Sequence, residues 1–271
     1  MTATPLLLGV DFSSAPSRRK PITVARGRRE GATLHLGRID ALPTLGAFER
    51  LLAEPGPWFG AFDFPFGLPR AFVQAQALGA DTDAVIAALR ARCPDRMALR
   101  ALVDAWSRVR PAGQRLVHRA TDTAHPARST SPLQTRYVPV GFMYYEGLAR
   151  LVAADATLPG LRVGDPQRVA VEGYPRRVAF ELIGRRPYKN RDDQAHRAAR
   201  SDLLDALASW RGGAGFGLRM APPLRDAIVA DAGGDLLDAV LCLMQAAWAE
   251  RQPGQGVPRG VDPIEGWIVG S

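Results

Sequence analysis

Two carboxylates in this sequence stand where burial alone does not ask for one. Residues 6–14 read Leu-Leu-Leu-Gly-Val-Asp-Phe-Ser-Ser, an apolar run of strand length that ends on Asp11. Residues 58–68 repeat the arrangement: an apolar strand ends on Asp63, and Pro65 stops the ladder. A buried strand gains nothing from a terminal carboxylate, because a desolvated charge is costly unless it is paired or bound to a metal. Two strand-end aspartates therefore point to one shared site. A third apolar strand, residues 168–174, carries Glu172 near its end, before Pro175. In the last long helix, residues 235–250, Asp238 lies one turn in, at the edge of the apolar face, where it can look across at a sheet end.

Acids drawn from separate segments make a hard, oxygen-rich pocket. It suits Mg²⁺ or Mn²⁺ and, with no clustered His or Cys, is poor for Zn²⁺. Such a cluster can hold two divalent ions about 3.5–4 Å apart, one activating water and one stabilising the leaving oxygen of a phosphodiester. Asp11, Asp63, Asp238 and Glu172 are the candidate catalytic acids; Asp11, Asp63, Asp238 and Asp235 are the candidate metal ligands. Some of these residues have a second reading. Asp235 is equally a helix N-cap after Gly233-Gly234, with both helix acids favoured by the positive end of the dipole. Glu172 is equally a strand-end ion pair with a neighbouring arginine.

The candidates for substrate binding are Arg119, Thr121, Asp122, Tyr174 and Lys189. Lys189 sits in a basic turn, residues 185–191, where it can meet a phosphate or simply be solvated. Arg119, Thr121 and Asp122 form a substrate-contacting loop, or Asp122 pairs with Arg119 and orders that loop. Phe64, Phe66 and Tyr174 can stack on bases or pack in the core. His118 is the one histidine with a proton-transfer reading.

The elements that must position these groups follow from pattern. Residues 22–26 and 32–39 read as a hairpin around the turn region 27–31, and residues 44–54 as a short amphipathic helix before the Asp63 strand. Residues 71–93, 96–108 and 141–154 have helical periodicity, with Pro94-Asp95 placed as a cap. Between them, residues 110–139 are rich in Pro, Arg, Ser and Thr, a length of loop more often functional than idle. Helices at 176–183 and 193–210, a glycine-rich linker at 212–217 and the helix at 235–250 complete the order, before a tail with a short strand candidate at 267–269. On a helical wheel Asp235, Asp238, Cys242 and Gln245 fall opposite the broad apolar face of that last helix. If the strands ending on Asp11 and Asp63 are adjacent and parallel, both carboxylates emerge at the carboxyl edge, where open α/β sheets bind ligands.

The 271 residues are enough for one large domain, read here as 1–271 with residues 70–155 a mainly helical insertion. Net charge is +8, which favours anionic partners. All but Lys20 and Lys189 of the 35 basic residues are arginines, a bias that GC-rich coding also produces. Cys93 and Cys242 have no CxxC spacing and read as buried free thiols of a reducing compartment. With no signal-peptide pattern and no apolar run of membrane-spanning length, a cytoplasmic location is expected.

Taken in order, three strands, a helix, a fourth strand, a fifth strand and a final acidic helix resemble the ribonuclease-H-like fold: a mixed five-stranded sheet flanked by helices, with the insertion between the fourth and fifth strands. The wording resembles a family described as a domain of unknown function and predicted to consist of ribonuclease-H-like nucleases. The matching pieces are Gly9-Val10-Asp11 with Ser13, residues 62–69 (Phe-Asp-Phe-Pro-Phe-Gly-Leu-Pro), residues 119–122, residues 172–175 (Glu-Gly-Tyr-Pro), Tyr188-Lys189, residues 235–239 and residues 265–268 (Glu-Gly-Trp-Ile). The resemblance implies that Asp11, Asp63 and Asp238 bind the metal. It leaves a fourth ligand open between Glu172, Asp235 and Asp122. Together these readings point to metal-dependent phosphodiester hydrolysis with Mg²⁺ or Mn²⁺, acting on nucleic acid or another phosphodiester. The rivals are a non-catalytic nucleic-acid or partner-binding module and an ATP-binding phosphotransferase of actin-like ancestry. The last of these needs two such domains and glycine-rich phosphate loops.

Overall fold

The computed structural model describes residues 5–209 and 215–270. Strands β1 (Leu6–Asp11), β2 (Ile22–Glu30) and β3 (Thr33–Leu42) form an antiparallel meander. Helix α1 (Leu45–Leu52) then leads into β4 (Trp58–Phe62), which lies parallel to β1. Five helices follow: α2 (Arg70–Ala75), α3 (Thr82–Arg92), α4 (Arg96–Arg108), α5 (Ala120–Thr123) and α6 (Val140–Ala153). After them come β5 (Ala156–Thr157), β6 (Asp165–Glu172), α7 (Pro175–Ile183), α8 (Gln194–Ala208), β7 (Gly217–Arg219), α9 (Pro222–Ala230) and α10 (Asp235–Ala249). Among the described residues no helix is long and apolar enough to cross a membrane.

The strands form one mixed, mostly parallel sheet in the order β5-β6-β4-β1-β2-β3-β7. It has seven strands where five are expected. The two additions are the edges, β5 of two residues and β7 of three, too short to show a period-2 pattern in sequence. Of the glycine-rich stretch 212–217, residues 212–214 lie outside the described residues, and Gly217 opens β7. Trp210, the expected end of the helix at 193–210, also lies outside them. The strand candidate at 267–269 makes a single parallel bridge, Ile268 to Glu172.

Local chemistry explains where elements begin and end. The expected helix 71–93 is two helices, because Ala77 and Gly79 take positive φ (49° and 128°) and Asp81 caps a new start through a bond from Ala84 N of 2.8 Å. Asp95 caps α4 in the same way, from Ala98 N at 2.8 Å. The first hairpin strand runs on to Glu30 and the second, which starts at Thr33, to Leu42, and only Gly31-Ala32 remain as the turn.

Alternate residues of each strand feed two cores. Leu8, Val10 and Phe62 pack against α1–α4 and α6 on one face, while Leu7, Phe59 and Val171 pack against α7–α10 on the other. Helix α10 is central to the second core. Residues 239–247 are all buried, so the face that a helical wheel assigns to Asp238, Cys242 and Gln245 is interior as well. Sequence periodicity overlooks this because Gln245 looks polar, yet it meets the sheet edge.

Candidate active site

Parallel register places the strand-end acids side by side. Val10 of β1 pairs with Phe62 of β4, and Phe62 pairs with Glu172 of β6. Asp11 and Asp63 are thus the next residues on neighbouring strands, tied by Asp63 N donating to Val10 O at 2.9 Å. Both side chains keep part of their surface open.

Asp238 reaches them because β1 carries a glycine under α10. A Cβ built at Gly9 would fall on the helix backbone, at Ala239 O and Leu243 N, so only glycine admits this approach. The first turn of α10 is shaped by Gly234, its N-cap at φ 80°, over which the Lys189 side chain passes. The N-cap is thus Gly234 rather than Asp235, which is the first helical residue. Asp231 serves the exposed amides instead, accepting from Leu236 N at 2.9 Å and Gly233 N at 3.1 Å.

The charges in this cluster are unevenly compensated. Asp238 is 1% exposed, and its two oxygens are taken by Tyr188 Oη at 2.6 Å and Lys189 Nζ at 2.5 Å. Asp11 and Asp63 accept no side-chain hydrogen bond and form no ion pair among the described residues. Burial, followed by the negative charges of Asp238, Asp63 and Asp235, pushes the Asp11 carboxyl well above its ordinary range. Burial and Asp238 push Asp63 up to about 7, although Lys189 draws it down. Lys189 is held above its usual value: burial opposes its charge, but Asp238, Asp63 and Asp11 together outweigh it. Cys242 lies in the same surroundings, and burial with the nearby aspartates raises its thiol. Both cysteines are free and buried.

Hard oxygen donors with too little positive charge around them are the chemistry of a Mg²⁺ or Mn²⁺ site. Such ions use one or two carboxylates and complete their shell with water and substrate oxygens. Asp11 and Asp63 fit that role. Among the described residues no three acidic, histidine or cysteine side chains form a ready-made metal cage, and Asp238 is already engaged by Tyr188 and Lys189. Asp235 is half-buried at the start of α10, its carboxyl raised by burial.

Glu172 belongs to a different arrangement. Arg119 grips both of its oxygens, at 2.6 and 2.8 Å, and Phe66 N donates to Oε2 at 2.8 Å. The same guanidinium binds Asp122 at 2.8 Å and Glu265 O at 3.0 Å. Asp122 also accepts from Ser129 Oγ at 2.7 Å and from Arg119 N at 2.8 Å. Burial works against the charge of Arg119, but its pull toward Glu172 and Asp122 raises it above the usual guanidinium value. Thr121 Oγ1 accepts from Ile268 N at 2.9 Å. Arg119, Thr121, Asp122 and Glu172 therefore join α5, the sheet edge and the C-terminal tail to one another.

A cavity of about 390 Å³ opens beside Asp63, bounded by Tyr174, Lys189, Arg128, Arg176 and Met143. Tyr174 is fixed at both ends, its N–H donating to Gln245 Oε1 at 2.8 Å and its hydroxyl to Arg128 O at 3.1 Å. Its hydroxyl is pushed up to about 12 by burial and by Asp63. Phe64 and Phe66 pack in an aromatic group with Phe12 and Phe62, and Phe64 also forms part of the cavity wall. His118 is exposed and lies away from the cavity lining. Sequence reading assigns no role to Tyr188, Arg128 or Arg176. Their signals are slight: Tyr188 belongs with Lys189 to one of the pieces that carry the family resemblance, Arg176 follows the Glu172 strand, and Arg128 belongs to the long loop 110–139, which also lends Ser129 and Thr130 to the cavity.

Residues 9–262 match the model of the family described as "Protein of unknown function (DUF429)", and the chain belongs to that family. No curated protein and no solved structure matches the chain significantly.

Proposed function

We propose that this member of the family is a metal-dependent phosphodiesterase of ribonuclease-H-like fold, acting on nucleic acid. The observation that carries the reading is the pair Asp11 and Asp63, two carboxylates without side-chain partners among the described residues, on adjacent parallel strand ends and beside a lysine and an open cavity. The inner five strands support it: β3-β2-β1-β4-β6, antiparallel for the first three and parallel from β1 to β6, is the order such a sheet requires.

In this reading Asp11 and Asp63 would hold a divalent cation, which would supply Lewis acidity there. Asp238 anchors Lys189, and Tyr188 fixes Asp238 from its other oxygen. Lys189 then presents a fixed positive charge to a non-bridging phosphate oxygen, a role suited to a charge-assisted hydrogen bond. Glu172 and Arg119 hold the Phe66 backbone and the C-terminal tail around the cavity.

Calorimetric titration of Mn²⁺ into the wild type and into Asp11→Asn tests this, followed by hydrolysis of bis(4-nitrophenyl) phosphate. Binding that is lost in the variant, with Mn²⁺-dependent hydrolysis, is the expected result. A folded wild type that neither binds Mn²⁺ nor hydrolyses the diester overturns the reading. It would favour the second one, a nucleic-acid-binding module in which Lys189 already neutralises the cluster.

A further inference from the structure

The Asp63 cavity has a neighbour. A second cavity, of about 370 Å³, is bounded by Phe180, Arg185 and Tyr188, and the two share only Arg176 and Lys189. Each falls within the range of small-ligand sites, about 300–1,000 Å³. Each has a half-buried aromatic side chain in its wall, Tyr174 in the first and Phe180 in the second, backed by the buried rings of Phe64 and Tyr188. The wall between them is cationic.

The arginines here are of two kinds. Arg177 is paired with Glu181, and Arg186 with Asp202. Arg128, Arg176 and Arg185 are exposed and form no ion pair among the described residues. All three unpaired ones line the cavities, Arg128 the first, Arg185 the second and Arg176 both, beside the paired Arg119 in the first and Arg186 in the second. Unpaired cations interleaved with aromatic walls are what a nucleic-acid strand needs, since phosphates want charge and bases want a face to stack on.

We infer that the substrate is single-stranded nucleic acid, bound with one nucleoside in each cavity and the linking phosphate on Arg176 and Lys189. This rests on the phosphodiesterase reading and adds to it the substrate's form. Lys189 is bonded to Asp238, so the phosphate on the shared wall lies at the acid cluster. A duplex keeps its bases paired and stacked and must extrude them to enter such recesses, whereas a single strand offers them already splayed. A lone nucleotide would use only one cavity.

Fluorescence anisotropy of a labelled single-stranded octanucleotide in EDTA, where no metal-dependent cleavage occurs, tests this. The single strand is expected to bind with steep salt dependence and to outcompete both a duplex of equal length and a mononucleotide. Arg176→Glu, at an exposed position in the first turn of α7, is expected to weaken binding about tenfold or more and to lower the salt slope by roughly one contact's worth, about 0.7. Arg185→Glu is expected to weaken the octanucleotide and leave mononucleotide competition unchanged. Equal binding of duplex and single strand, equal competition by the mononucleotide, or no effect of Arg176→Glu overturns the inference. Strand binding through Arg176 without hydrolysis of any diester sinks the phosphodiesterase reading alone. Hydrolysis of the small diester without strand binding sinks only this one.

Discussion

Two groups of charge are buried at the same edge of the sheet, and they are built differently. Around Arg119, all four oxygens of Glu172 and Asp122 have donors, supplied by one guanidinium, two backbone amides and a hydroxyl. Around Lys189, only Asp238 is satisfied, while Asp63, at the cavity, and Asp11 beside it accept no side-chain hydrogen bond among the described residues. A saturated network holds its pieces together and has nothing left to offer a ligand. An unsaturated one keeps its carboxylates costly: burial and repulsion among the acids raise Asp11 and Asp63 with only Lys189 opposing. At Glu172 burial also raises the carboxyl, but Arg119 and Phe66 N pull against it. The unsaturated group is therefore the one that gains from a cation or proton brought from outside. The contrast separates structural charge from chemical charge within one edge.

The largest effect is expected from breaking the saturated group. Arg119→Met leaves two carboxylates buried without their partner and frees the tail at Glu265, a loss of about 3–5 kcal/mol. Urea unfolding should show it as a lower midpoint. If Arg119→Met unfolds like the wild type, the network is not structural and the contrast fails.

Next comes the backbone that brings the two groups to one edge. Gly9→Ala puts a methyl into the backbone of α10 and must push Asp238 away from Asp11. Overpacking of this kind typically costs about 1–3 kcal/mol, and contact with backbone places it at the upper end. Stability and Mn²⁺ binding should fall together, whereas Arg119→Met should lower stability much more than it lowers the affinity of the protein that remains folded.

Much of this edge was legible in the sequence. Asp11 and Asp63 announced themselves by ending apolar runs, and Asp95 by its place before a periodic stretch. The pair of Arg119 with Asp122, three positions away, was legible too, and so was an arginine partner for Glu172; which distant residue supplies it was not. Nothing in the spacing says that Arg119, fifty-three positions from Glu172, takes that acid for itself, or that Lys189 lands on Asp238. Both depend on how the long loop and the basic turn fold back over the sheet. The edge strands were missed for a simpler reason: two or three residues carry no period. The burial of Gln245 needed the knowledge that α10 is covered on all sides, whereas Cys242 reads as buried from the apolar run around it.

The unsaturated group is tested by taking away its one cation. Lys189→Gln leaves Asp238 buried with Tyr188 alone. Because the lysine is half-exposed, the loss is expected to be about 1–2 kcal/mol rather than that of a fully buried pair. It should be larger at pH 8 than at pH 5.5, where the neighbouring acids take up protons. Thermal melts at the two pH values check this, and an equal loss at both would mean that Lys189 does not sense the other acids.

The most diagnostic effect is one of pH. Asp63 has an ordinary value of 3.8 when unfolded and about 7 when folded. Below about pH 4 both states hold the proton and the folded state has no penalty. Between pH 4 and 7 the unfolded chain releases it while the folded one keeps it, so stability falls as pH rises and levels off above 7. Metal-free protein should therefore melt roughly 5–10 °C lower at pH 8 than at pH 5, from about 1.4 kcal/mol per pH unit up to pH 7 and roughly 2–4 °C per kcal/mol for a chain of this size. Asp63→Asn removes the titrating group, so it should raise the melting temperature at pH 8 by that margin and flatten the profile. Added Mn²⁺ should recover the loss in the wild type and do nothing for the variant. A wild-type profile that rises across this window would mean that Asp63 is compensated after all, and that its resemblance to Glu172 is closer than its surroundings suggest.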